Sequence, residues 1–323
     1  MNGAIIGLGH GHRVISKAFK IEKIKLIGVY SKNLKKAYKY SKENKLKKIY
    51  NSVDDLINDK DIDLVAIAIP SYYQPQLLKK CLIRNKKIFC EKPISVKYDE
   101  LKKINSKIKK INNKLIVDYI FQKHDAFKKF KTLIPRSNLK NSKVIINFKT
   151  QSYINKKKIN NWKNKTHLGG GVINLYLPHI LEYLIFFFGN ISKHKINKKN
   201  KNFYVFNYLF QNGVLATINI NSNVSQREHS IEFENKKIKL LLKNVSKDYA
   251  KGFKITKLDK LNNIKTVVPY NNSINKFKSD GRIFLTSKLL KLFSKKFISK
   301  DHIKKINEYF YIESILNKTR KNL

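Results

Sequence analysis

Cysteine is scarce in this sequence. Only Cys81 and Cys90 occur among its 323 residues. Two cysteines cannot form a disulfide framework, and these two lie too far apart for the close spacing of a metal or redox pair. We therefore interpret both as small buried hydrophobic side chains.

Long apolar runs are also missing. The longest that we identify, "YLIFFFG" from Tyr183, is far shorter than the roughly 20 residues that a membrane-spanning helix needs. The first apolar run starts at Gly3, and it has neither the charged leader nor the cleavage site of a secretory signal. These absences predict a cytoplasmic protein with no membrane association.

Acidic residues are few: 22 against 69 Lys and Arg, which gives a formal net charge of +47. Such a charge by itself indicates a polyanion partner. However, the lysines are spread through almost every segment, and Lys, Asn and Ile, all abundant here, have codons rich in A and T. We therefore favour genomic base composition over a specific nucleic-acid site. The dispersed lysine pairs are Lys35-Lys36, Lys79-Lys80, Lys102-Lys103, Lys156-Lys157, Lys236-Lys237 and Lys304-Lys305.

Residues 1–121 alternate short apolar runs with helical patterns. This alternation is typical of βαβ units and predicts a Rossmann-type domain with a parallel sheet. The predicted strands are 4–9, 24–30, 62–70, 86–93 and 114–121, and the predicted helices are 33–45, 52–59, 73–85 and 95–111.

Residues 122–323 have a different pattern, which predicts an α+β domain with a mostly antiparallel open sheet. Turns at Asn212-Gly213 and near Asn235 separate predicted strands, and the last helix is a candidate to pack back on the first domain. The predicted strands cover 142–153, 202–220 and 229–243, and the predicted helices cover 171–188, 283–293 and 302–316.

The stretch "GAIIGLGHGHR" resembles a phosphate-binding glycine loop. Gly7 would make the tight turn after the first strand, and Gly9 would let a pyrophosphate approach the backbone at a helix N-terminus. His12 stands where the pattern G-x-G-x-x-G has its third glycine, so we expect it to fill that space, with Gly11 supplying the missing freedom. A glycine turn without a ligand is the alternative.

The end of the second strand has no acid. About 20 residues after the glycine loop, a carboxylate usually binds the ribose hydroxyls of NAD. Here the residues are Tyr30, Ser31 and Lys32, a hydroxyl beside a cation, which suits a 2′-phosphate. The sequence therefore favours NADP(H) over NAD(H).

Three further blocks make the sequence recognisable: "AIPSYYQ" from Ala68, "CEKPIS" from Cys90 and "WKNKTHLGGGVINLYLPHILEYLIFFFG" from Trp162. Together with the glycine loop they resemble the Gfo/Idh/MocA family of oxidoreductases, named after glucose-fructose oxidoreductase and inositol dehydrogenase. The resemblance runs from residue 3 to the last helix. It implies an NAD(P)-binding Rossmann domain, a second domain whose sheet often mediates oligomers, and hydride transfer between a sugar-like or cyclitol hydroxyl and the nicotinamide.

The resemblance also assigns roles to residues. It implies that Lys92 contacts the reacting hydroxyl and that His179 is the acid or base, which fits the need for a proton acceptor as hydride leaves. Trp162 is a candidate to stack on a sugar face or to anchor the core, and Asn174 and Tyr176 are candidates to orient the substrate. The expected cofactor-binding residues are Gly7, Gly9, Gly11, His12, Ser31, Lys32, Pro70, Gln74, Glu91, Lys92 and Pro93.

The sequence departs from the family pattern at three positions. Leu175 stands where the family has an aspartate four residues before the histidine, Leu177 replaces a frequent glycine, and Gln74 replaces a histidine near the cofactor. A site without that carboxylate could rely on Lys92 and His179 alone or could have lost catalysis.

These observations lead to two main hypotheses. The first is an NAD(P)-dependent oxidoreductase acting on a sugar, nucleotide sugar or cyclitol, without a metal, as a homo-oligomer (dimer or tetramer) through the C-terminal sheet. The second is a non-catalytic NADP(H)-binding sensor or scaffold of the same fold. A polyanion-binding protein is a third reading, which requires a basic patch on one face.

Overall fold

The computed structural model describes residues 1–110, 115–151, 161–294 and 299–322. The chain forms two compact units. The first comprises Met1–Tyr119, Lys165–Gly170 and Arg282–Asn317, and the second comprises Ile120–Asn164, Gly171–Gly281 and Lys318–Leu323. The predicted domain boundary after residue 121 stays a prediction. Each of the two units consists of three separate segments of the sequence, whereas the predicted domains are continuous. The predicted lysine pair at 156 and 157 lies outside the described residues, as do positions 111, 114, 152 and 153 of the predicted elements.

The first unit contains a six-stranded sheet in which every neighbouring pair of strands is parallel. Its strand order, β3-β2-β1-β4-β5-β6, is that of the doubly wound dinucleotide-binding fold. All residues of β4 are buried, as expected for a strand covered on both faces. The strands are β1 (Asn2–Ile6), β2 (Lys25–Tyr30), β3 (Lys48–Ile49), β4 (Leu64–Ile67), β5 (Lys87–Cys90) and β6 (Leu115–Val117).

Two helices of this unit, which start at Leu34 and Val53, begin with a side-chain cap. The Asn33 side chain accepts a hydrogen bond from Lys36 N at 3.0 Å, and Ser52 does the same for Asp55 N at 3.0 Å. Sequence analysis missed β3 and α1, both of which are short. The helices are α1 (Ser16–Ile21), α2 (Leu34–Glu43), α3 (Val53–Asn58), α4 (Gln74–Ile83) and α5 (Tyr98–Lys110), with most of α9 (Gly281–Leu290) and α10 (Ser299–Lys321) added from the end of the chain.

The second unit contains an eight-stranded open sheet in the order β14-β13-β12-β11-β7-β10-β9-β8. All neighbours are antiparallel except β7 and β10, so the predicted fold class, a Rossmann domain followed by a mostly antiparallel sheet, is confirmed. The strands are β7 (Lys143–Gln151), β8 (Ile191–Asn200), β9 (Phe203–Phe210), β10 (Leu215–Asn221), β11 (Asn223–Glu234), β12 (Ile238–Asn244), β13 (Lys254–Asp259) and β14 (Ile264–Val267).

The edge strand β8 was not predicted. Its sequence, ISKHKINKKN, lacks the regular apolar alternation of a half-buried strand because it lies at the edge of the sheet. Lysines are a common means of keeping such an edge from pairing with another chain. The strand is therefore defined by its ladder with β9 and not by its own hydrophobic pattern.

Helix α7 (Gly171–Phe188) matches the predicted helix, and α6 (Asp125–Leu133) and the short α8 (Ser273–Lys276) complete the second unit. By length and composition α7 is apolar enough to cross a membrane, with a mean hydropathy of 1.5, which corrects our assessment of the longest apolar run. However, 72% of it is buried inside the structure. This burial is typical of a core helix, because a helix that is apolar on all sides also suits the interior of a large domain.

Candidate functional site

The glycine loop follows β1 in the first unit. Gly7 has φ +98°, and a Cβ there would lie 2.3 Å from the carbonyl oxygen of Ala68, so glycine is required on both grounds. A Cβ on Gly9 would meet no atom within 4 Å. The loop therefore presents an open stretch of backbone, which fits the approach of a pyrophosphate.

Gly11, and not His12, takes the place of the third glycine, which corrects our expectation for His12. A Cβ on Gly11 would lie 2.6 Å from Cγ2 of Ile5, so its absence allows the loop to pack closely on β1. His12 is exposed, and its ring packs edge-on against Tyr40 with centroids 4.9 Å apart. The turn from Gly11 to Ile15 has π-helical hydrogen bonding, so it differs from the ordinary helical turn that follows the pattern.

The end of β2 is rich in positive charge. Ser31 is half-buried and Lys32 is exposed. Partial burial lowers the pKa of His12, and the charges of Lys17 and Lys36 lower it further. The residues between the glycine loop and α2 therefore form a basic neighbourhood of the kind that suits a phosphate group.

The loop after β5 carries Glu91, Lys92 and Pro93, and Gln74 at the start of α4 holds it from one side. The Gln74 amide nitrogen donates to the carbonyl oxygen of Pro93 at 2.9 Å, and Cys90 Sγ donates to the Gln74 amide oxygen at 2.8 Å. Gln74 is only 1% exposed, so these hydrogen bonds hold the loop from the interior of the unit. Pro70 lies three residues after the end of β4, and its carbonyl oxygen accepts a hydrogen bond from Tyr73 N at 3.0 Å.

Glu313 of α10 holds the same loop from a second side. Its carboxylate accepts hydrogen bonds from the backbone N–H of Ile94 at 2.6 Å and of Ser95 at 3.5 Å. The side chain is completely buried. A carboxylate in this position satisfies backbone donors that would otherwise be costly to bury.

A cluster of three charged residues joins the glycine loop to the ends of β5 and β6. His10 Nε2 lies 2.9 Å from Glu91 Oε1 and 3.4 Å from Asp118 Oδ2, and Thr286 donates to the other carboxylate oxygen of Asp118 at 3.1 Å. Three such ligand atoms within 4.8 Å of one another could also hold a metal ion. The absence of a metal site stays a prediction.

The charges of this cluster depend on one another. Burial disfavours the cation of His10, but the two carboxylates outweigh it and raise its pKa from 6.5 to about 9. Burial also opposes ionisation of Glu91, yet the His10 charge holds the Glu91 pKa below its usual range. Burial, and then the charge of Glu91, raise the pKa of Asp118 to about 6.

This arrangement predicts a pH-dependent stability. Because the folded state retains the His10 proton between pH 6.5 and about 9 and the unfolded chain does not, the free energy of unfolding should fall as pH rises through this window. The slope cannot exceed about 1.4 kcal/mol per pH unit from one group. Urea unfolding of the wild type and of His10→Gln at several pH values measures it, and an equal fall in the variant would contradict the assignment.

In the second unit, His179 lies near the middle of α7. Its side chain is 8% exposed, and its ring lies 5.4 Å from the ring of Phe121 and 6.0 Å from that of Tyr249, measured between centroids. Tyr176, one turn earlier on the same face of the helix, is half-buried and packs on Phe148 with centroids 5.1 Å apart. The structure therefore brings two of the predicted residues together in an aromatic surrounding.

The other predicted residues of this unit have different positions. Asn174 is buried and accepts a hydrogen bond from Arg320 Nε at 2.8 Å, so its side chain is fixed to the end of α10. Trp162 is half-buried in a short 3₁₀ turn. Lys92 belongs to the first unit and His179 to the second, so a joint action of the two stays a prediction.

Sequence analysis did not select His10, Asp118 or Glu313. A signal for Asp118 was available, because polar residues at the carboxyl end of a buried parallel strand often belong to a binding site. Glu313 lies between buried Ile312 and Leu316, and an acid on the apolar face of a helix indicates a buried partner. No such sequence signal indicated His10, because its partners Glu91 and Asp118 are distant in sequence.

Comparison with known proteins agrees with this geometry. Residues 1–119 match the model of the Gfo/Idh/MocA oxidoreductases, described as a family with an NAD-binding Rossmann fold. The chain is 26% identical over 188 residues to an uncharacterized oxidoreductase of Synechocystis, which covers 58% of this chain and 51% of that protein. It thus spans about half the length, or less, of the first curated relatives that it matches.

Solved structures are similar over nearly the whole chain. A putative NADPH-dependent oxidoreductase from Desulfitobacterium hafniense has a TM-score of 0.75 at 19% identity, covering 98% of this chain and 96% of that one. Levoglucosan dehydrogenase in complex with NADH and L-sorbose has a TM-score of 0.78 at 13% identity, covering 98% and 97%. At these identities the likeness establishes the fold.

The sheet order and the glycine loop define a domain of the dinucleotide-binding Rossmann class. More specifically, residues 1–119 belong to the Gfo/Idh/MocA family, and the whole chain has the fold of its structural neighbours. The family model thus confirms the predicted resemblance over residues 1–119.

Proposed function

We propose that this protein transfers a hydride between a nicotinamide cofactor and a hydroxyl or carbonyl group of a sugar, nucleotide sugar or cyclitol. The main support is the ion pair at 2.9 Å between His10 and Glu91. It attaches the loop that carries Lys92 to the glycine loop that fits a pyrophosphate. A lysine in the Glu-Lys-Pro sequence is thus held beside the loop that would bind the dinucleotide, as hydride transfer from a bound alcohol or to a bound carbonyl group requires.

The proposed roles follow from the chemistry of the side chains. The bound cofactor supplies the hydride acceptor or donor at its nicotinamide. The Lys92 ammonium stabilises negative charge on the reacting oxygen, and His179 takes up or returns the proton. Ser31 and Lys32 would hold a 2′-phosphate, and Gly7, Gly9 and Gly11 would admit the pyrophosphate, with His12, Pro70, Gln74, Glu91 and Pro93 around it.

Two further properties belong to this proposal. We place the protein in the cytoplasm, and we assign the outer face of the second unit's sheet as a homo-oligomer contact. The exposed side chains of Ile145 and Leu215 on that face, 39% and 43% accessible, support the assignment. Trp162, Asn174 and Tyr176 would contribute to substrate binding.

The direct test is turnover. The protein is incubated with NADP+ or NAD+ and a panel of sugars, nucleotide sugars and inositol, and the absorbance of the reduced nicotinamide is followed. We expect turnover of at least one class. If NADPH binds and no member of the panel reacts, the non-catalytic sensor or scaffold becomes the better description.

A further prediction concerns the preference for NADP(H) over NAD(H). Ser31→Asp places a carboxylate where the 2′-phosphate is expected, so it should weaken NADPH binding by about 10-fold or more and leave NADH binding nearly unchanged. Fluorescence titration of both nucleotides measures the ratio. Ser31→Asn is the uncharged control, and an unchanged ratio in Ser31→Asp would remove the basis for preferring NADP(H).

A further inference from the structure

We propose that Asp118 is a positioning residue for the proposed reaction and that, through His10, it holds the glycine loop and the loop of Glu91 to Pro93 in one arrangement. The inference rests on the proposed function for the roles of these two loops. Asp118 itself directly follows β6 and lies in neither loop. Like His10 and Glu91, it belongs to the first unit.

The sheet alone does not bring these side chains together. His10 lies in the loop after β1, Glu91 follows β5, and β4 separates β1 from β5. Neighbouring strands are about 4.8 Å apart, so the ends of β1 and β5 are about 10 Å apart. The glycine loop must therefore bend over the carboxyl end of β4 for His10 Nε2 to lie 2.9 Å from Glu91 Oε1 and 3.4 Å from Asp118 Oδ2.

His10 is suited to fix the glycine loop without covering it. Of residues 7–11, the other four are three glycines and Leu8, which is apolar and buried. The backbone at Gly9 has to stay uncovered if it is to receive a pyrophosphate, so packing on that side cannot hold it. An ion pair through the side chain of the next residue fixes the loop and leaves Gly9 open.

Asp118 is the member of the cluster that is most firmly attached to the fold. Its side chain is 5% exposed, against 25% for His10 and 16% for Glu91. Asp118 N donates to the carbonyl oxygen of Cys90 at 2.9 Å, and Thr286 Oγ1 of the buried part of α9 donates to Asp118 Oδ1 at 3.1 Å. The carboxylate is thus held at one oxygen, and its other oxygen faces His10.

Stability of the fold does not account for this cluster. Partly buried charges gain little net stability from one another, because the loss of hydration offsets their attraction. Apolar side chains at the same positions would serve packing equally well or better. The property that distinguishes His10, Glu91 and Asp118 is that together they join the two loops to which the proposed function assigns the cofactor and Lys92.

The test is a double-mutant cycle on cofactor binding. Fluorescence titration gives the dissociation constant for NADPH in the wild type, Asp118→Asn, His10→Gln and the double variant, and each end point counts the folded molecules. Asparagine can still accept from Thr286 but has no charge toward His10, so we expect Asp118→Asn to weaken NADPH binding by about 10-fold. Removing a carboxylate would by itself favour an anionic ligand, so a weakening indicates lost positioning.

The cycle also tests whether Asp118 acts through His10. We expect His10→Gln to weaken NADPH binding to a similar extent, and the added Asp118→Asn change to weaken it by no more than about 2-fold further. With a sugar that the wild type converts, Asp118→Asn should lower kcat by about 10-fold and leave KM for the sugar within about 3-fold. A purely structural residue would change the unfolding temperature and leave the NADPH affinity and kcat of the folded molecules unchanged.

Asp63→Asn is the matched control, because Asp63 lies at the opposite end of the same sheet, where its carboxylate accepts from Asn2 N at 2.8 Å. It should leave NADPH affinity within about 2-fold of the wild type. Thr286→Val removes the hydroxyl that orients Asp118 and should weaken NADPH binding by about 3-fold, which keeps the test valid if Asp118→Asn does not fold.

Three results would overturn the positioning role: NADPH affinity unchanged in the folded variants of Asp118 and Thr286, an equal loss in Asp63→Asn, or effects of Asp118→Asn and His10→Gln that multiply in the double variant. Weakened NADPH binding that follows the expected cycle, without turnover of any sugar by the wild type, would leave the positioning of the glycine loop standing and count against the proposed function.

Discussion

Lys92→Met is expected to lower kcat by about 1,000-fold while the dissociation constant for NADPH changes by no more than about 3-fold. Methionine keeps an unbranched chain of similar length but has no charge to stabilise the reacting oxygen. The cofactor contacts expected from the glycine loop are untouched, so binding and turnover should separate. Steady-state kinetics and fluorescence titration of NADPH measure the two quantities.

Lys97→Met is the matched control for this variant. Lys97 belongs to the same segment, and its Nζ lies 3.7 Å from the centre of the Tyr72 ring, so the substitution removes one lysine from the same neighbourhood. We expect kcat within about 3-fold of the wild type, as for a cation–π contact of modest strength. An unchanged rate in Lys92→Met would exclude Lys92 from the reaction, and a change in KM alone would assign it to substrate binding.

The elements that sequence analysis predicted are those defined by local patterns. The apolar runs that became β2, β4 and β5 are continuous because these strands are covered on both faces, and the turn at Asn212-Gly213 is confirmed by the positive φ of Gly213. The whole length of α7 was predicted because it is apolar throughout and ends just before Gly189. These signals lie within a few residues of the features that they predict.

The features that sequence analysis missed depend on residues far apart in the chain. The expected place of His12 was wrong because the pattern G-x-G-x-x-G has its third glycine at position 12, whereas Gly11 is the residue that packs closely on Ile5. The contact of His10 with Asp118 and that of Glu313 with Ile94 span more than 100 residues each along the chain. No spacing rule within a single sequence indicates such pairs, because they form only when the sheet and the last helix pack.

We expect Glu313→Ala to displace the loop of Glu91 to Pro93, because Glu313 is one of the residues that hold this loop. The change leaves the N–H groups of Ile94 and Ser95 buried without their carboxylate, which should cost about 1–3 kcal/mol for each well-formed hydrogen bond lost. Since Ile94 is two residues after Lys92, the loop should shift. A displacement of about 1 Å in a catalytic group can reduce kcat by about 100-fold.

A purely structural role of Glu313 makes a different prediction from a positioning role. If Glu313 only stabilised the fold, the variant would unfold at lower temperature, but its folded molecules would retain the wild-type kcat. If Glu313 positions Lys92, kcat per folded molecule should fall, NADPH binding should persist, and Glu313→Gln should restore kcat to within about 10-fold, because its amide oxygen can still accept from Ile94.

Glu308→Ala is the control on the same helix, because Glu308 pairs with Lys305 at 2.7 Å near the surface and has a side chain 21% exposed. Removing such a pair should change stability by less than about 1 kcal/mol and leave kcat unchanged. Active-site titration with tightly bound NADPH counts the folded molecules in each variant. Wild-type kcat per folded molecule in Glu313→Ala would show that the loop of Glu91 to Pro93 keeps its position without the Glu313 carboxylate, and would leave Gln74 and His10 as its supports.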